Sequence, residues 1–78
     1  IYPNPFHETL AIETLGQGEI WNASLVDLQG KPIKYKASVA TPFLWDLGDL
    51  TPGIYILRLE QIAPQRGLIL PPVRVVKS

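Results

Sequence analysis

One histidine, seven carboxylates and no cysteine are the groups from which this 78-residue chain could build acid-base, nucleophilic or metal chemistry. His7 has neither a thiol partner nor a Gly-x-Ser-x-Gly elbow, so the nucleophile with its base is not assembled. With a single imidazole and no thiolate, the ligands of a structural zinc site are also missing. Asp27, Asp46 and Asp49 fall beside turn residues and do not have the spacing of a calcium loop. Their expected role is the Asx hydrogen bond to nearby backbone N–H groups. No catalytic residue, metal ligand or cofactor is therefore expected.

Binding chemistry has three further candidates. Trp21 and Trp45 could form an aromatic platform for a sugar, but each lies in phase with aliphatic neighbours, which points to core packing. Lys34 and Lys36, two residues apart, could touch phosphate; the expected role is a solvated outer strand face. Arg74 and Lys77 close the sequence in "VRVVKS", and by themselves they indicate only solubility.

The elements that position these groups are short. Pro3 to Pro5, Gly16 with Gly18, Gly30 with Pro32, Pro42, Pro52 with Gly53, Pro64 to Gly67 and Pro71 with Pro72 place a turn signal about every ten residues. Eight prolines and six glycines leave no window for a long helix. Between the turns the pattern has period two. Leu10 and Ile12 share a face, as do Trp21, Ala23 and Leu25; Ile33 and Tyr35 oppose Lys34 and Lys36. Phe43, Trp45 and Leu47 form another such set, and Tyr55, Leu57 and Leu59 another. Tyr55 follows "LTPG" at the start of a strand, the setting of a tyrosine corner, in which the phenol bonds a backbone group a few residues upstream. Pro71 and Pro72 cannot donate ladder hydrogen bonds, so the last strand is expected to be an edge strand, or to be bulged or split at the pair. The fold class expected is all-β, an immunoglobulin-like antiparallel β-sandwich of about seven short strands.

Composition bounds the rest. A 78-residue domain buries only about 60–65% of the surface its unfolded chain exposes, and no disulfide or metal adds to its stability, so docking against a larger domain or a partner is expected. Seven basic residues balance seven acidic ones, which argues against a nucleic-acid surface or a strongly anionic membrane as the main partner. The longest apolar run, "LILPPV", is too short and too broken to insert in a bilayer. Ile1 in place of a start methionine gives the expectation of a piece of a longer protein. A cysteine-free chain tolerates an oxidising compartment.

Four stretches, in order, resemble the C-terminal sorting domains, type A, of the type IX (Por) secretion system of Bacteroidetes. The family's entry is met by Tyr2, Pro3, Asn4, Pro5 and Phe6. Its strand-ending Asp-Leu-x-Gly-Lys is met by Asp27, Leu28, Gly30 and Lys31, and its Leu-x-x-Gly-x-Tyr by Leu50, Gly53 and Tyr55. Its basic-hydrophobic-hydrophobic-basic ending is met by Arg74, Val75, Val76 and Lys77. The chain departs from the family at Val26, where an aromatic residue is usual, and at the Pro71–Pro72 pair.

The resemblance implies a non-catalytic secretion signal spanning residues 1–78, with a proline-rich entry over 1–7 and a terminal strand with a basic end over 68–78. A label of this kind directs an N-terminal cargo of the same chain through the periplasm to an outer-membrane translocon or shuttle, and so to the cell surface or medium. A sortase-like peptidase then removes it by cleavage close to or before Ile1. Its recognition strand is expected to comprise Val73, Arg74, Val75, Val76, Lys77 and Ser78, with the two cations giving register and charge selectivity. The remaining motif residues are expected to be mainly structural.

Two rival classes share the strand pattern. A fibronectin type III or other immunoglobulin-like spacer has a similar corner, and fold likeness alone does not separate it from a sorting label. A carbohydrate-binding sandwich requires Trp21 and Trp45 to be exposed side by side.

Overall fold

Alternating apolar and polar side chains, cut by proline and glycine, set the strands along the chain. The structure, a computed structural model, describes residues 5–13 and 18–78. Its elements are β1 (Thr9–Ile12), β2 (Ile20–Asp27), β3 (Pro32–Ala40), β4 (Phe43–Asp46), β5 (Gly53–Ala63), β6 (Leu68–Ile69) and β7 (Val73–Lys77). They form an all-β domain of two sheets. β1 pairs with β4; the larger sheet runs β3-β2-β5-β6, with β7 pairing β5 as well. All pairs between named strands are antiparallel. The sheets are unequal, and neither closes into the full sandwich of an immunoglobulin domain.

One apolar core is shared by both sheets. Leu10, Ile12, Trp45 and Leu47 from the small-sheet side cluster with Trp21, Ala23, Leu25, Tyr55, Leu57, Leu59 and Val75 of the larger sheet, and with Phe6. The in-phase sets expected from β1, β2, β4 and β5 are thus the core-facing ones, all buried except half-buried Phe43, and both tryptophans are core residues, 2% and 6% exposed. In the larger sheet Leu25 faces Leu57 and Ala23 faces Leu59 across β2 and β5. Burying each large aliphatic side chain contributes roughly 1.5–3 kcal/mol. β2 and β5 each carry pairs on both edges and form the centre of the sheet.

The split of the final strand at Pro71 and Pro72 follows from their missing N–H groups. β6 and β7 lie one after the other along the same strand, pairing Glu60 and Gln61 at one end and residues 53–57 at the other.

β3 corrects the expected phase. Its pairing with β2 shifts register between Leu25 and Val26, leaving Ile33 as the extra residue, and again between Trp21 and Ala23. At the second shift Ser38 adopts φ 55°, and its N–H donates to Asn22 Oδ1 at 3.0 Å. An inserted residue reverses the faces of those that follow. Ile33 packs against the core as expected, but Tyr35 sits opposite Ser24 on the outer face and is 62% exposed. Lys34 and Lys36 face Leu25 and Ala23, so they lie on the core side of the sheet and not on its outer face. At about 4.8 Å per strand, two strands cannot cover the width of the larger sheet, and the lysines stay within reach of solvent at its overhanging edge.

Leu57, 1% exposed on the central strand, reports on this core. Leu57→Ala is expected to lower unfolding free energy by about 2–5 kcal/mol, read from the shift in urea midpoint.

Candidate recognition surface

The recurring motifs of the sequence build three structural devices and one surface. The first is the β2–β3 turn. Asp27 Oδ1 accepts from the N–H groups of Gln29 and Lys31, each at 2.9 Å. The Gly30 N–H donates to the Asp27 carbonyl at 3.0 Å, and Gly30 takes φ 84°, a left-handed geometry that closes the hairpin and favours glycine. Leu28 and Lys31 are exposed here. Asp46 acts similarly, accepting from Gly48 N–H at 3.1 Å.

The second device is the corner before β5. Tyr55 is 7% exposed and its hydroxyl donates to the Thr51 carbonyl at 2.6 Å, with Thr51 Oγ1 at 3.2 Å. Leu50 packs against the core beside it. Gly53 opens β5 opposite Lys77; an added Cβ there would meet nothing within 4 Å, so crowding does not account for the glycine.

Asp49 departs from its expected turn role. Its carboxylate pairs with Lys34 Nζ at 2.7 Å, tying the loop after β4 to the edge strand β3. The hydrogen bond from Lys34 holds the Asp49 carboxyl below its ordinary value. The pattern gives no local clue to this pair, because the residues are fifteen apart and meet only through the β3 bulge.

The third device joins the entry to the last strand. Phe6 is fully buried and forms an isolated parallel bridge with Lys77. Its N–H donates to the Val76 carbonyl and its carbonyl accepts from the Ser78 N–H, both at 2.8 Å. Phe6 thus anchors the entry in the core, as an aromatic after proline can; Tyr2, Pro3 and Asn4 lie outside the described residues. Pro5 and His7 are exposed on either side of it.

The surface is β7. Arg74 is exposed, Val73 and Val76 are half-buried, and Val75 is fully buried opposite Tyr55. Lys77 is 8% exposed, with Nζ 3.4 Å from the Ser78 carbonyl. The two terminal cations are therefore unlike: one projects from the strand, and the other runs its aliphatic stem through packed surroundings. Alternation of the strand, with Val75 and Lys77 in phase, is the signal that separates them.

Neither other candidate site gathers. Burial of Trp21 and Trp45 removes the exposed platform that a sugar would need. Among the described residues no group of three or more His, Cys, Asp or Glu side chains could hold a metal ion.

Residues 1–65 match the family described as the secretion system C-terminal sorting domain. The chain belongs to that family. As a sorting domain of the type IX secretion system it is a non-catalytic secretion signal, and its route runs through the periplasm to the cell surface or extracellular space. No curated protein and no solved structure matches the chain. The matched span holds the entry, the β2–β3 hairpin and the tyrosine corner, while β6 and β7 follow it.

Two measurements check these devices. Tyr55→Phe removes only the corner hydroxyl and is expected to destabilise the sorting domain by about 1–2 kcal/mol in chemical denaturation. In an NMR titration the Asp49 carboxyl is expected to protonate below the ordinary aspartate range and to return towards it in Lys34→Ala. Because the folded value is the lowered one, the pair's contribution to stability is present above the ordinary aspartate range and is lost as pH falls through the folded value.

Proposed function

We propose that residues 73–78 are the recognition strand of this sorting domain, read by the type IX translocon or its shuttle, and that residues 1–78 form one label behind an N-terminal cargo. The observation that carries this is Arg74: an exposed cation on an outer strand of the larger sheet, between half-buried Val73 and fully buried Val75. Backbone and apolar contact supply affinity on such a strand, and the cation supplies selectivity. Lys77 and Val75 hold the strand to the core, while Arg74 is the group a receptor meets. A sortase-like peptidase then removes the label by cleavage close to or before Ile1. The two sheets serve as a reduced immunoglobulin-like sandwich, a reading supported by their shared core and by the tyrosine corner.

An inert fluorescent protein carrying this chain at its C-terminus tests the proposal. The fusion is expected at the surface or in the medium of a type IX competent host and in the periplasm of a translocon-deficient one. Deleting residues 73–78 is expected to trap it in the periplasm, but it also removes Val75 from the core. Arg74→Glu changes an exposed side chain and is therefore the sharper variant. Surface delivery unchanged by either alteration would rule the recognition strand out.

A further inference from the structure

The larger sheet has two outer edges. One is formed by β6 and β7 and is cut by the proline pair; the other is β3, which among the described residues pairs with β2 alone. Two register shifts bound the regular part of β3: Ile33 is the extra residue at one, and Ala37 and Ser38 fall within the other. Lys34, Tyr35 and Lys36 keep an unbroken register between them, opposite Leu25, Ser24 and Ala23. Tyr35 is exposed on the outer face, and the two lysines lie on the opposite one. Lys34 is tied to Asp49, whereas Lys36 is exposed and has no ion pair among the described residues, which include all seven carboxylate side chains of the chain.

Connectivity keeps the rest of the chain from this stretch. Residues 1–4 continue from Pro5, beside β7, four strand spacings or about 19 Å from β3, and four residues span at most about 14 Å. Residues 14–17 join Glu13 to Gly18 at the end of the sheet where Ile20 pairs with Ala40.

We propose that Lys34, Tyr35 and Lys36 form a docking edge for an extended acidic segment of a partner protein, in which acidic and apolar residues alternate and which adds to β3 as one more strand. Its carboxylates lie on the face of the two lysines, and its apolar side chains lie beside Tyr35. Backbone hydrogen bonds supply affinity, and the alternating side chains supply register. A second copy of this chain is a poor occupant: antiparallel pairing of β3 with its copy about Tyr35 sets Lys34 of each against Lys36 of the other, and like charges directly opposite are destabilising. The bulges on either side stop the added ladder from growing. Lysines that discourage self-association thus select an acidic strand. The edge is the one opposite residues 73–78 and does not rest on their being the recognition strand.

The probe is the capped peptide EVEVE, titrated into the isotope-labelled chain and followed by NMR. Shifts are expected at the Lys34, Tyr35 and Lys36 amides and not along residues 73–77, with binding that weakens as salt is raised. Lys36→Glu alters an exposed side chain and is expected to raise the dissociation constant at least about fivefold, and the peptide KVKVK is expected to bind the unaltered chain more weakly than EVEVE by at least the same factor. Absence of shifts along β3, equal binding of KVKVK, or an affinity unchanged in Lys36→Glu would overturn the proposal. So would β3 shifts that appear on concentrating the chain without peptide, which would make a second copy the occupant. The fusion assay reads the other edge, so failure of one proposal is distinct from failure of the other.

Discussion

The pairing of β2 with β5 is the constraint on which the other parts rest. It aligns Trp21, Ala23 and Leu25 beside Gln61, Leu59 and Leu57, and it runs from Ile20 opposite Ala63 to Asp27 opposite Tyr55. Its lower end thereby brings the β2–β3 hairpin and the tyrosine corner side by side. Each needs the other's strand fixed: Asp27 can hold its turn only if β2 ends there, and Tyr55 can reach Thr51 only if β5 begins two residues earlier. In a chain with no disulfide, such local closures fix registers that a small core would leave loose. Two of the four motifs, those at Asp27 and Tyr55, fall where this registration is made.

Strands whose side chains face a single core were legible in the sequence. For β2, β4 and β5 the alternation separated inside from outside over most of each strand, because the buried face is apolar up to Gln61, whereas in β1 Ala11 is buried together with Leu10 and Ile12. Asp27 and Tyr55 were legible for a different reason, since their hydrogen bonds span only two to four residues and leave a local signature. β3 was not, and the cause is identifiable: two register shifts reverse its faces, and no residue type in "KPIKYKASVA" announces a bulge. The ion pair of Lys34 with Asp49 was hidden by the same shift. Unequal sheets were hidden too, because alternation tells which side of a strand is buried and not how many strands cover it.

The terminal strand was legible in the sequence, but the difference between its two cations was not. Two cations closing the sequence look equivalent on paper, yet phase with Val75 carries Lys77 inward and leaves Arg74 outward. The junction of Phe6 with β7 joins residues about seventy apart and has no periodicity to reveal it. Only the aromatic character of Phe6 after Pro5 indicated an anchor, and its partner strand emerged from the fold. Entry and exit of the domain are consequently one structural feature, with the matched family motif at one end and the terminal strand at the other.

The gap between β6 and β7 bears on how such a chain survives crowding. Leu68 and Ile69 leave apolar surface beside an outer edge, a combination that in a continuous strand would template stacking with other copies. After Leu70, Pro71 and Pro72 interrupt the row of donors, so neither segment offers a ladder long enough to grow. Two short ladders in place of one long strand thus give a second copy little edge to stack on, however many copies share a compartment.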